Sequence, residues 1–183
     1  QPLEEGCVTI ARAHSTVKFP ARFMLVAAMN PTSRGATPRD GDAAGRRDMA
    51  KYMSRVSGPL IDRIDIHVEA PAVPWKQLSG DAKGTTTAQM RERVQAARRR
   101  QSARQKSTLN AHLRGRDLDR VAPMEDGAAV LLGQAITELG LSARAYDKVR
   151  RVARTIADLE GAEALGVAHI AEAVQYRMLD RRV

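Results

Sequence analysis

The chain has 183 residues, 43% of them hydrophobic, enough for one domain of ordinary size or two small ones. No run of 18 apolar residues occurs, so a membrane span is excluded, and a single cysteine, Cys7, excludes an intrachain disulfide and a thiolate metal cage. The net charge of +9 favours a polyanionic partner and is unevenly placed: +3 over residues 1–84, +6 over 85–106 and zero over 107–183.

Cys7 to Ala13 alternates Val8 and Ile10 with Thr9 and Ala11, and Val17 to Phe19 is a second β-prone run. A turn through His14 and Ser15 makes the pair a hairpin. Phe23 to Met29 is apolar throughout and is ended by Asn30-Pro31, which predicts a strand buried on both faces in a parallel α/β sheet. Thr32 to Asp48, rich in Gly, Arg, Asp and Pro, predicts a mobile loop. Met49, Tyr52, Met53 and Val56 have helical spacing. Ser57-Gly58-Pro59 has the form of an N-cap with proline in the first turn of a short helix, and Ile64 to Glu69 alternates like a strand. Ala70 to Thr86 carries Pro71, Pro74, Gly80 and Gly84 without an apolar period and reads as a linker.

Beyond it the chain reads as helical. Thr85 to Gln105 places Met90, Val94 and Ala97 on one face. Glu125 to Leu139 is stopped by Gly140. Ser142 caps a helix whose Tyr146, Val149, Val152, Ala153 and Ile156 face inward and which Gly161 ends. Ile170, Val174 and Met178 mark a last helix, so the expected architecture is an α/β portion followed by an all-α part of about four helices.

Four features carry chemistry. Asn30 stands where a buried strand stops, the edge at which open α/β sheets bind ligands; it can hydrogen-bond a phosphate oxygen or an attacking water, or Asn-Pro can simply open a turn. Arg63 stands at a helix-to-strand junction, where it can reach a phosphate across a subunit interface or pair with Asp62 or Asp65. Arg144 lies in the first turn of a helix, where a cation opposes the helix dipole unless an anion is also present. The helix with Arg91, Arg93, Arg98, Arg99, Arg100, Arg104 and Lys106 carries basic charge around most of its circumference and serves either as a solvated helix or as a phosphate-backbone contact. With six aromatic residues, base-stacking platforms are not expected. His14, His67, His112 and His169 lack acidic residues at metal spacing, so none reads as a metal ligand.

Taken together, these segments resemble the magnesium-chelatase-like AAA+ ATPases, the competence protein ComM group. Phe19 to Pro31 (FPARFMLVAAMNP) is similar to that family's sensor 1 strand, and Tyr52 to Glu69 (YMSRVSGPLIDRIDIHVE) to its arginine-finger segment. Leu141 to Gly161 and His169 to Arg181 resemble its sensor 2 helix and C-terminal lid. The resemblance implies that residues 1–69 are the C-terminal part of a P-loop AAA+ core, 70–86 a linker and 87–183 a helical lid. It implies Asn30 as sensor 1, Arg63 as an arginine finger acting on a neighbouring subunit's ATP, and Arg144 as sensor 2. Residues 7–19 would be a hairpin pointing into a ring pore toward DNA, with His14 and Lys18 near its tip. The family further implies ATP and Mg2+, a homo-oligomeric, hexameric ring and DNA branch migration during natural transformation; the single cysteine makes a reducing, cytoplasmic setting the expectation. Arg91, Arg98 and Arg99 are further DNA-contact candidates.

Two departures stand out. No G-x-x-x-x-G-K-[ST] motif and no apolar strand ending in paired acids occurs. With Gln1 as the first residue, the chain is therefore expected to be the C-terminal part of a longer protein and inactive as an ATPase alone. The central strand would then lack sheet neighbours. The cysteine cluster common after Asn-Pro in the family is replaced by Thr32 to Asp42, without cysteine. Two alternatives remain: the motor subunit of a magnesium chelatase, and a stand-alone helical nucleic-acid-binding or interaction module.

Overall fold

The computed structural model describes residues 2–30, 42–73, 75 and 84–177. They belong to two compact units, one within residues 1–64 and one beginning at Asp65.

The first unit opens with a single helical turn, α1 (Pro2–Glu5), and a hairpin of β1 (Cys7–Arg12) and β2 (Ser15–Pro20). The strands pair antiparallel from Cys7 opposite Pro20 to Arg12 opposite Ser15. The expected hairpin is present, with Ala13 and His14 as its two-residue turn and Ser15 already in the strand. Gly6, at φ +62, admits the Arg22 side chain where a Cβ would stand 3.0 Å from Arg22 Cγ. The Ala21 N–H donates to Gly6 O at 2.8 Å, extending the pairing one step.

The pairing ends there. Phe23 to Met29 forms no strand, and Met24 and Val26 are 86% and 78% exposed, against the expected doubly buried strand. The reason is physical. An extended segment needs a neighbour about 4.8 Å away to satisfy its N–H and C=O groups, and among the described residues the only sheet is the two-stranded hairpin. The parallel α/β sheet expected of residues 1–69 is thus not formed among them, and the chain is mostly helical with one hairpin.

Ala43–Met53 forms α2, because the Asp42 side chain accepts from the Gly45 N–H at 2.8 Å. The expected loop through Asp48 therefore ends at Asp42, its part from Thr32 to Gly41 lying outside the described residues. Helix α3 (Gly58–Arg63) starts at Ser57 with Pro59 in its first turn, as expected, although the Ser57 side chain makes no capping bond. In this unit Cys7 and Ile61 are the buried apolar side chains among the described residues. Burying each contributes roughly 1.5–3 kcal/mol. Ordering each residue's backbone costs about 1–2 kcal/mol.

The second unit has a true core. Ile64 to Glu69 is irregular rather than a strand; the His67 N–H donates to Tyr176 O at 2.8 Å, and Asp65 pairs with Lys148 at 3.2 Å. Thr86 and Gln89 close a reciprocal capping box at the start of α4 (Thr87–Gln105). A 3-10 turn (Asn110–His112) and a short helix, α5 (Gly115–Val121), follow, neither of them anticipated. Helix α6 (Asp126–Leu139) ends at Gly140 in the left-handed conformation, and α7 (Ala143–Glu160) ends likewise at Gly161. Helix α8 (Val167–Gln175) closes the unit, and the expected Met178 lies outside the described residues.

Helix α7 is the centre. Val149, Val152, Ala153, Ile156 and Ala157 are buried at helical spacing and pack with Leu118, Val121, Leu132, Leu165 and Ile170; Ala145 is buried one turn earlier. The Leu165 N–H donates to Pro123 O and Leu165 O accepts from the Glu125 N–H, pinning the loop before α8 beside the start of α6. His169 closes the first turn of α8: its Nδ1 accepts from the Gly166 N–H at 2.9 Å, so Nε2 carries the proton toward Glu160 at 2.9 Å.

Candidate functional site

Asn30 stands at the end of the exposed apolar run and is itself exposed. With no strand behind it, it is not at a sheet edge among the described residues.

Arg63 is the last residue of α3. One terminal nitrogen, Nη1, donates to Pro59 O at 2.7 Å and the other, Nη2, to Glu4 Oε2 at 2.9 Å. Its partner is therefore a residue of α1 rather than Asp62 or Asp65. Asp65 instead pairs with Lys148 at 3.2 Å. The Nε of Arg63 is buried with no hydrogen bond, and the residue borders a groove with Pro2, Phe23 and Leu60. Both ends of the Arg63–Glu4 pair are partly exposed, 29% and 40%, and such pairs hold about 0–1 kcal/mol.

Arg144 is the second residue of α7 and is exposed. Ser142 Oγ accepts from the Ala145 N–H at 3.2 Å and so caps the helix, but no acidic residue lies in this first turn to offset the arginine. Asn30 and Arg63 belong to the first unit and Arg144 to the second. His14 is in the hairpin turn and Lys18 in β2, opposite Thr9; both are exposed.

The basic helix divides. Arg104 donates from Nη1 and Nη2 to the two oxygens of Asp158 at 2.7 and 2.9 Å, and Arg100 donates to Asp158 O at 2.9 Å. These two arginines dock α4 on the C-terminal end of α7. Arg91, Arg93, Arg98 and Arg99 stay exposed. Met90 and Val94 are 53% and 52% exposed; of the expected apolar face only Ala97 is buried, continued by Gln101 and Gln105.

The docking site is the most organised polar cluster among the described residues, and the sequence reading missed it. Asp158 is 2% exposed and also accepts from Asn110 Nδ2 at 2.8 Å and pairs with Arg154 at 3.1 Å. Arg154 is fully buried and donates to the carbonyls of Ala162 and Glu163. Burial would raise the Asp158 pKa, but hydrogen bonds from Arg104 and Asn110 and the charges of Arg154 and Arg104 outweigh it and hold the carboxyl below its usual range. Burial lowers the Arg154 pKa, with Asp158 opposing. The available signal was the Arg154–Asp158 spacing of i,i+4, which places the pair on one helix face. A second buried arginine, Arg150, pairs with Asp119 at 2.8 Å and lies over the Tyr146 ring, 5.3 Å from its centroid.

Two family models match the chain: magnesium chelatase, subunit ChlI, over residues 1–78, and the C-terminal region of the same subunit over residues 84–177. The chain belongs to the magnesium chelatase ChlI-like family. Within it the resemblance is to the ComM and YifB group. The chain is 41% identical over 183 residues to competence protein ComM of Haemophilus influenzae. It is 40% and 37% identical over 182 residues to the uncharacterized YifB proteins of Salmonella typhimurium and Escherichia coli. Each alignment takes in 99% of this chain and 36% of the relative, so the chain spans about a third of the length of the curated relatives it matches.

This family consists of AAA+ proteins that depend on ATP and Mg2+. The sequence of this chain holds no phosphate-loop motif. Among the described residues, no three His, Cys, Asp or Glu side chains gather to hold a metal ion, and no helix is long and apolar enough to cross a membrane.

Proposed function

We propose that this chain is the sensor and lid portion of a magnesium-chelatase-like AAA+ ATPase that acts as an ATP-dependent DNA helicase or branch-migration motor. The observation that carries the reading is the 41% identity over 183 residues to competence protein ComM; the roles given to Asn30, Arg63 and Arg144 rest on the resemblance of their segments to the family's sensor 1, arginine-finger and sensor 2 segments. On this reading residues 1–69 complete a core supplied by a preceding segment, which brings the phosphate cradle and the magnesium-binding acids, and 87–183 form the lid. Asn30 orients the attacking water. Arg63 leaves Glu4, a weak and partly exposed partner, to meet charge developing on a neighbouring subunit's ATP. Arg144 reports the nucleotide to the lid. The hairpin offers His14 and Lys18 to DNA in the pore of a hexameric ring.

The test joins this chain to the nucleotide-binding segment of its parent protein and measures ATPase activity with and without forked DNA. DNA stimulation that Arg63→Ala reduces by roughly 10³-fold supports the reading. Full activity in Arg63→Ala removes the finger, and no DNA stimulation removes the motor. The match of both ChlI models favours one second reading, a chelatase motor subunit, for which activity would respond to a porphyrin-binding partner and not to DNA.

A further inference from the structure

Once the docked arginines are set aside, the free ones on α4 are not scattered. At about 100° per residue, Arg91, Arg98 and Arg99 fall within an arc of about 100°, with Gln95 and Ser102 between them. All five are exposed. The buried Ala97 and Gln101 and the docked Arg100 and Arg104 occupy the other side of the helix, and the buried Gln105 borders the stripe beside Arg98. The stripe is about 12 Å long from Arg91 to Arg99. Its three arginines make no hydrogen bond or ion pair with any described residue. One acid, Glu92, stands at the border. Arg93 lies on the far side of the helix from the stripe.

Unneutralised guanidinium groups aligned on one rigid helix face, with amide and hydroxyl donors between them, match a chain of phosphates. The face carries no aromatic side chain to stack on bases. We propose that Arg91, Gln95, Arg98, Arg99 and Ser102 form a sequence-independent contact for the phosphate backbone of DNA, held outward because Arg100 and Arg104 anchor the opposite face to α7. This deepens the proposed function and rests on it for the identity of the polyanion.

The experiment uses the 183-residue chain and a fluorescent mixed-sequence DNA duplex, titrated between 50 and 200 mM salt. Three phosphate contacts give a log–log slope of about 2.7, or roughly fortyfold weaker binding across that range. The Arg91→Gln, Arg98→Gln, Arg99→Gln triple variant, at exposed positions that glutamine suits in a helix, should keep its helical circular dichroism and lower the slope by about 2.7. Arg93→Gln, off the stripe, should lower it less than Arg98→Gln does. Binding by the wild-type chain with no change in the triple variant overturns the stripe and leaves the motor intact. So does failure of the chain to bind when the joined parent protein binds. Failure of both removes the motor as well. Equal affinity for polyglutamate overturns the DNA assignment in favour of an acidic protein surface.

Discussion

Arg104 grips Asp158 with both terminal nitrogens, at 2.7 and 2.9 Å, and so joins the end of α4 to the end of α7. Arg154 and Asn110 share the same carboxylate, which leaves the buried charge fully compensated. The pair fixes which side of the basic helix faces the core.

Removing the shared acceptor strands two arginines at once. Asp158→Ala should cost about 3–5 kcal/mol, because Arg154 is fully buried and would keep an uncompensated charge. Arg104→Ala should cost about 2 kcal/mol, its side chain being 26% exposed and able to be replaced by water. Urea unfolding followed by helical circular dichroism measures both. A cost below about 1 kcal/mol for Asp158→Ala would deny the clamp its structural role.

The same carboxyl sets an acid limit. Its folded pKa lies below the unfolded value of about 3.9, so its contribution to stability is present in full above that value. It is lost as pH falls through the lower folded value, where protonation releases Arg104. Melting temperature measured from pH 5 to pH 2 should fall steeply in the wild-type chain. In Asp158→Asn the curve should start lower and fall less.

Two left-handed glycines separate strain from crowding. Gly161 has φ +86, and a Cβ there would stand 3.0 Å from the Arg100 guanidinium. Gly140 has φ +59 and open space around it. Gly140→Ala should cost about 1 kcal/mol from backbone alone. Gly161→Ala should cost more, since Arg100 must also leave Asp158 O, and thermal unfolding of the two variants checks the order.

The two units should respond differently to loss of apolar side chains. Leu132, fully buried in the second unit, should cost about 3–5 kcal/mol on change to alanine. Met24→Ala and Val26→Ala, at exposed positions in the first, should each change stability by less than about 0.5 kcal/mol. Denaturant midpoints of the single variants test this. A large loss at Met24 would show that the apolar run is packed.

Much of the helical unit was legible along the chain. Ser142, Gly140 and Gly161 marked real helix ends, and the inward face from Val149 to Ile156 was read correctly, because caps and a 3.6-residue period are local properties. The hairpin was legible for the same reason. The short helix α5 was not, since its seven residues hold too few apolar positions to show a period. The loop through Asp48 was misread because Asp42 starts a helix amid loop-like composition.

Sequence alone determined the family resemblance, the absence of a phosphate-loop motif and the concentration of charge in residues 85–106. It also determined that Phe23 to Met29 is apolar, but not that the run would be buried: burial needs strands beside it, and pairing is a property of the sheet rather than of the segment. Only the tertiary structure decided which arginines of α4 are spent on α7 and which face outward. Every guanidinium is charged wherever it stands, and only the position of Asp158 and of its carbonyl separates Arg100 and Arg104 from Arg91, Arg98 and Arg99.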